Sequence, residues 1–482
     1  MSTSARTATR QRAVHDVLMQ VVVRVLNLAL GVVVTALIAR TLHSSGYGEW
    51  STIFAVLSLT GFFMSFGAES IVVREAARDP EREREWLGAM MAMRLIALGP
   101  VMLISLGAIA LIQQSHTMLI VGLILVVFMP FDGVGVLQLV FQLRVNNRIP
   151  MVVLTLRSVL WGVAVFVIYQ RGGGMVALAI ALVLTSLAGS IVQTVAALRV
   201  LKRWPRPSLA RLKELVRQSL PLGITGMLVI GYGRIDQVIV LKVAGSRDAG
   251  LYGAVYGVLD RSHFVPISVL VTLAPIMAAA WPADPARMLR AARLTAELMA
   301  ITSLGALAFA SVAATPLVRL FFGSEYTAAA PALPVLGGAF VFICFGYLNG
   351  NLLVVLGLQR SFLRISLVAL VFNVAGNLVL VPLTGFIGAA WMTLATEMLV
   401  CGMCLSAVLR KLERPWPKPG RITRTVLAAA LLFGALSALS LLGASLAVLV
   451  LVACALYPAL LLGLGALARE DIEIVLKRTK LA

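Results

Sequence analysis

Acid is scarce in this sequence. Asp and Glu number 21 against 41 Lys and Arg, and charged residues of both signs make up 13% of the chain, about half the share of a soluble domain. That excludes an ordinary water-facing surface. Histidine and cysteine are few, four of each. Cys344, Cys401, Cys404 and Cys454 all fall in apolar segments, and the C-x-x-C spacing of "CGMC" has no histidine or acid cluster beside it. They read as small buried hydrophobes, and no metal or cofactor is expected. No G-x-x-x-x-G-K-[ST] pattern occurs, which excludes a P-loop nucleotide site. The polar joints are short, so none has room for a soluble catalytic domain, which argues against a membrane polymerase or other enzyme. The ten-residue alternation of a membrane barrel is also missing.

Apolar side chain fills the space instead. The chain of 482 residues is 60% hydrophobic, with a mean hydropathy of +0.96. Runs of about 20 apolar residues recur from end to end, each long enough to cross a hydrocarbon core as a helix. The expected fold is an all-α integral membrane protein of about fourteen transmembrane helices. The spans are 17–39, 49–73, 87–113, 117–141, 150–170, 174–200, 215–242, 250–280, 291–321, 330–356, 362–381, 386–410, 423–443 and 446–468. Turn residues mark the joints, as in "HSSGYG", "QRGGG" and "VAGSRDAG". The first span is too long for a cleavable signal and holds Arg24 and Asn27.

Charge sets the expected orientation. With the N-terminus inside, only Arg40, Arg171, Lys242, Arg247 and Arg319 fall on the outer side, while Arg24, Arg94, Arg157, Arg234 and Arg261 lie within spans. The other basic residues face inward, which fits the positive-inside rule with both termini cytoplasmic. The net charge of +20 is thus topogenic. It points to anionic lipid at "RVLKRWPRPSLARLK" (199–213) and "RKLERPWPKPGRITR" (410–424), and not to nucleic acid.

The chain also repeats itself. "IARTLHSSGYGEWSTIFAVL" (38–57) aligns with "VLKVAGSRDAGLYGAVYGVL" (240–259) at a constant offset of 202. The offset spans six helices, an even number, so both copies share one orientation and form parallel lobes. Residues 1–213 form the first six-helix lobe, 214–411 the second, and 412–482 hold two extra C-terminal helices and a tail.

The stretch "GLQRSFLRISLVALVFNVAGNLVLVPLTGFIGAAWMTLATEML" (357–399) resembles the polysaccharide transporters, the lipid-linked oligosaccharide flippases of the multidrug/oligosaccharidyl-lipid/polysaccharide exporter superfamily. "SLPLG" (219–223), "AGLYGAVY" (249–256) and "LFFGSEYTAAAPAL" (320–333) are similar to other parts of that family. The resemblance implies a bacterial cytoplasmic-membrane protein whose lobes surround a central cavity. It further implies a cargo of undecaprenyl-diphosphate-linked sugar, moved outward for O-antigen, capsule or exopolysaccharide synthesis, with a polysaccharide polymerase as an expected partner. The glycan is not identified.

Charges inside spans are the candidate site residues, because each is costly in lipid and faces protein or water. Arg24, Arg94 and Arg157 each follow their helix start by about seven residues, roughly 10 Å of depth. Snorkelling, or for Arg94 and Arg157 a structural pair with Asp132, is the alternative to a functional role. Asn27 shares the face of Arg24. Arg234 and Arg261 lie deeper, and their planar donor forks suit a diphosphate. Asp236 does not share a face with Arg234 and is expected to have another partner. Asp260 and His263 are candidates for coupling to H⁺ or Na⁺. Asn373 and Asn377 share one helix face and suggest helix–helix hydrogen bonding. A lipid II or teichoic-type precursor flippase is a close rival reading. A cation-coupled drug antiporter is a further one, although its first helix would favour an acid where Arg24 stands.

Overall fold

Helix accounts for the regular structure throughout. The computed structural model describes residues 3–144, 148–412 and 420–467, and no strand occurs among them. The helices, in chain order, are α1 (Thr3–Gly61), α2 (Ala68–Arg78), α3 (Glu83–Ile112), α4 (His116–Gly133), α5 (Leu139–Leu143), α6 (Arg148–Gln170), α7 (Met175–Leu201) and α8 (Leu209–Ala244). They continue with α9 (Ser246–Ser262), α10 (Phe264–Ala280), α11 (Pro285–Phe322), α12 (Ala332–Val355), α13 (Gln359–Thr384), α14 (Phe386–Leu412), α15 (Gly420–Leu441) and α16 (Leu446–Gly463). Twelve stretches among the described residues are long and apolar enough to cross a membrane, so the chain is a multi-pass membrane protein. Mid-helix aliphatics such as Leu103, Ile104 and Val371 are more than half exposed (73%, 55% and 60%), as expected of groups that face lipid.

The count differs from fourteen for local reasons. The first two expected spans run together in the stretch Ala29–Arg78, which breaks where His43 takes φ 56° and ψ 177° and again in the turn between Gly61 and Ala68. In α4 the described part of the apolar run is His116–Met129. The expected helix over 250–280 is instead α9 and α10, which part at His263. Pro266 explains the break. It has no N–H for the Ser262 carbonyl, and its ring crowds that carbonyl.

Contacts group the chain into two compact units. One comprises Gln20–Gly253 and Asn377–Phe386, and the other Met1–Met19, Ala254–Gly376 and Ile387–Ala482. This grouping takes α8 and the start of α9 with the N-terminal helices, whereas the sequence repeat assigns them to a second lobe. The lobe division therefore stays a proposal.

In the first unit, the chain between α7 and α8 is laid across α3. Arg84 donates to the Trp204 carbonyl from Nε (3.1 Å) and Nη2 (2.6 Å), and the Arg206 N–H donates to the Arg84 carbonyl (3.1 Å). Only glycine fits at position 88, because a Cβ there would lie 2.1 Å from the Arg206 oxygen. Arg211 then stacks over Trp86 at 5.3 Å, anchoring the start of α8 on a core that includes Leu87, Met90 and Leu215.

In the second unit, α11 packs against α10, α12 and α15. Buried Glu297 accepts from Arg293 of the same helix (2.9 Å) and from Arg421 of α15 (3.1 Å). Tyr457 of α16 donates to the Ile301 carbonyl (2.7 Å) and lies against Gly305. The last two helices are thus fastened to α11 by polar groups as well as by apolar packing.

Candidate functional site

The repeat is visible as a physical contact inside the first unit. A Cβ on Gly48 would lie 1.9 Å from the Ser246 carbonyl oxygen, and one on Gly250 would lie 1.8 Å from that of Ser44. Ser44 and Ser246, like Gly48 and Gly250, are 202 residues apart. A third such pair, Ser51 and Gly253, lies alongside, since a Gly253 Cβ would meet Ser51 Oγ at 2.7 Å. The two copies therefore cross reciprocally, backbone against backbone, through small residues. The turns before them match too. His43 (φ 56°, ψ 177°) and Gly245 (φ 91°, ψ 175°) are also 202 apart.

Polar groups gather around this crossing. Gln237 of α8 is buried, and its amide Nε2 donates to Ser51 Oγ (3.1 Å), Thr52 Oγ1 (3.1 Å) and the Ala249 carbonyl (2.9 Å). Asp236 is 1% exposed. It accepts a short hydrogen bond from the hydroxyl of Tyr252 and another from the Gln237 N–H at 2.7 Å. Glu49, also buried, accepts from Ser115 (2.5 Å) and Ser246 (3.5 Å). Lys242, at the end of α8, donates to the Leu111 carbonyl at the end of α3 (3.0 Å).

A second feature of this unit is a chamber of about 410 Å³, lined by α1, α3, α4 and α7 and by the turn after α1. Arg94 is its cation, with Ser58, Ser65 and Ser186 as its hydroxyls and Phe54 and Phe128 among its apolar walls. Arg94 Nη2 meets Glu69 of α2 at 2.6 Å. The Asp132 side chain lies outside the described residues, as does that of Arg24.

The other expected residues fall as follows. Asn27 donates to Thr155 Oγ1 of α6 (3.2 Å). Arg157 is exposed, with its stem packed against α7 where Gly189 leaves room. Arg234 is half-buried in α8 and belongs to the first unit. Asp260, Arg261 and His263 belong to the second. There Arg261 Nη1 donates to the Gly257 carbonyl (2.8 Å), the His263 N–H donates to the Asp260 carbonyl (3.3 Å), and the His263 ring meets Tyr347 at 5.8 Å. Asn373 donates to Thr396 of α14 (3.1 Å), a helix–helix bond of the kind its position suggested. The four cysteines carry no disulfide, and no cluster of metal-ligating side chains occurs among the described residues.

Sequence reasoning missed Glu69, Tyr252, Gln237 and Glu49. A signal existed for Tyr252, which aligns with Trp50 in the repeat. None existed for Glu69, whose approach to Arg94 depends on the irregular turn between α1 and α2.

A family model described as polysaccharide biosynthesis protein matches residues 37–331. Over 198 residues the chain is 25% identical to an uncharacterized membrane protein of Methanocaldococcus jannaschii. That match covers 41% of this chain and 46% of the relative, so the chain spans under half of that relative's length. Among solved structures, a lipid II flippase MurJ in an inward closed conformation is 12% identical, with a TM-score of 0.72 over 96% of this chain and 100% of that one. An inward-facing multidrug resistance MATE family transporter of the MOP superfamily is 14% identical, with a TM-score of 0.64 over 83% of this chain and 95% of that one. These two likenesses are of fold.

Proposed function

We propose that this chain, which belongs to the polysaccharide biosynthesis protein family, is a flippase that moves undecaprenyl-diphosphate-linked oligosaccharide outward across the bacterial cytoplasmic membrane. The observation that carries the reading is the placement of guanidinium groups at depth. Arg94 lines a chamber, and Arg234 and Arg261 are half-buried within Gly223–Ala244 and Ser246–Ala280, two of the stretches long and apolar enough to cross a membrane. In a transmembrane segment such groups mark a substrate path, and their donor forks match the oxygens of a diphosphate. Arg24, Asn27, Arg234, Asp236 and Arg261 are the proposed substrate contacts. Arg94 and Arg157 are further candidates, and Asp260 and His263 are the candidates for H⁺ or Na⁺ coupling. The lipid tail stays in the bilayer while the sugars cross, and both chain termini are cytoplasmic. A polysaccharide polymerase on the outer side is the proposed consumer of the product.

Alternating access gives the reciprocal Gly48–Gly250 crossing a role. It lies at the helix ends assigned to the outside, and it is the contact that parts when the cargo leaves. The membrane potential supplies the drive. A headgroup of charge near −2 moving from a negative interior gains about 4.6 kcal/mol at 100 mV if it crosses the whole field.

Proteoliposomes test the reading. They carry a polyprenyl-diphosphate-linked oligosaccharide and are clamped with K⁺ and valinomycin. Translocation should accelerate when the receiving side is positive, with no H⁺ or Na⁺ gradient. Transport of lipid II alone, or of a cationic drug against an ion gradient, would replace this reading with one of its rivals.

A further inference from the structure

We infer that the groove between α13 and α14 binds an anionic phospholipid of the surrounding bilayer, its phosphate between Arg364 and Arg410 and an acyl chain along Met398. The groove encloses about 530 Å³, within the range of roughly 300–1,000 Å³ for small-molecule sites. It lies wholly in the second unit and shares no residue with the crossing or the Arg94 chamber.

Three features point to this ligand. The first is charge. Arg364 and Arg410 are exposed, and among the described residues neither is hydrogen-bonded or ion-paired. Two guanidinium forks suit one phosphate, and together they repel the ammonium of a zwitterionic headgroup. Ser361 and Ser406 add hydroxyl donors to the lining.

The second is depth. Asn373 bonds Thr396, and a Cβ on Gly376 would meet Met392, so the two helices run antiparallel. Arg364 near the start of α13 and Arg410 near the end of α14 therefore lie at the same end. Met398 is twelve residues from Arg410, about 18 Å along the helix, which separates a headgroup from the body of an acyl chain. The arginine end is the one that the charge distribution assigns to the cytoplasmic side.

The third is lateral opening. Met398, which lines the groove, is 49% exposed on a membrane-spanning helix, and Leu399 and Met403 continue the apolar wall. A free phosphate or a soluble anion has no use for such a wall, whereas a lipid does. Gly402 keeps the groove open, since nothing lies within 4 Å of the position a Cβ would take there.

Native mass spectrometry of the full chain in detergent tests the site, with phosphatidylglycerol and phosphatidylcholine in equimolar competition and inorganic phosphate in a separate arm. The wild-type chain should retain phosphatidylglycerol in preference to phosphatidylcholine. Arg364→Gln with Arg410→Gln should weaken that retention roughly thirtyfold, from the surface attraction of two basic residues for anionic lipid. Gly402→Leu keeps the charge and fills the groove, and should also release the lipid. It decides the matter if the double glutamine variant loses its helicity. Arg287→Gln with Arg290→Gln, exposed at the start of α11 and outside the groove lining, should change nothing. Equal retention by the groove variants overturns the site. So does equal loss in the Arg287 and Arg290 control, which would mean general surface charge. Displacement of the lipid by inorganic phosphate would reduce the site to an anion site and overturn the lipid assignment.

Discussion

Adding one methyl group at the crossing of the repeats should loosen it measurably. In Gly48→Ala the new Cβ would start 1.9 Å from the Ser246 oxygen, and in Gly250→Ala it would start 1.8 Å from the Ser44 oxygen. Ordinary contact begins at about 3.4 Å, leaving a shortfall near 1.5 Å in both cases. The opposing atoms are backbone, so no side chain can turn aside and the helices must move apart. Overpacking of this kind costs about 1–3 kcal/mol. If the crossing parts during transport, the same energy raises the outward-open population by a factor of roughly 5 to 150. The assay uses a reporter cysteine at Ala249, which is fully buried beside the crossing, with the four native cysteines replaced. An impermeant maleimide applied outside whole cells should label it faster by that factor in either alanine variant, while protein level holds. A drop in melting temperature without any gain in labelling would show that the contact is structural and not a gate. Unchanged labelling and unchanged melting in both variants would refute the packing argument itself.

Other perturbations bear on different parts of the molecule. Tyr252→Phe removes a donor to the buried Asp236 carboxylate and should destabilise the protein by about 1.5–3 kcal/mol; adding Asp236→Asn should cost less than the sum of the two, as read in a double-mutant cycle of melting temperatures. His43→Gly should raise stability by about 1 kcal/mol, because a branched residue at φ 56° and ψ 177° is strained where glycine is not; a lower melting temperature would mean that the side chain's contacts outweigh the strain. For topology, a cysteine at Ser45 should react with the impermeant reagent and one at Lys202, which is equally exposed, should not; labelling at 202 would invert the proposed orientation.

The sequence disclosed the helices well and their partners poorly. Run length and hydropathy locate an apolar helix because both are local properties, and that sufficed for the all-helical, multi-pass fold. The break at His263 was also within reach, since Pro266 forbids the bond its helix needs. The kink at His43 was not, because nothing in histidine announces a positive φ. Arg94 meets Glu69 across a turn whose shape no periodicity encodes. The tie from Glu297 to Arg421 spans 124 residues. Arg421 read only as part of a basic loop that orients the chain, and packing gives it a second task.

The repeat offers the last step, because what it copies and what it does not copy are separable. The backbone is copied. The left-handed turns at His43 and Gly245 agree within 2° in ψ, although their residues have nothing in common, so the shared geometry runs beyond the residues that match. The contact it produces is isologous, each copy presenting the same small-residue face to the other, as a local two-fold axis requires. The polar chemistry is not copied. Asp236 corresponds to Val34, Gln237 to Thr35 and Tyr252 to Trp50 at the same offset. Val34 and Trp50 are also buried, at 5% and 6% exposed, but they are apolar. A buried carboxylate is expensive wherever it stands, and a structural need that followed from the repeat would have been met in both copies. Glu49 makes the same point from the other copy, since it is buried and its counterpart at the offset is Leu251. Each copy therefore has its own buried carboxylate, Asp236 held by Tyr252 and Glu49 held by Ser115, and the shared backbone contact requires neither.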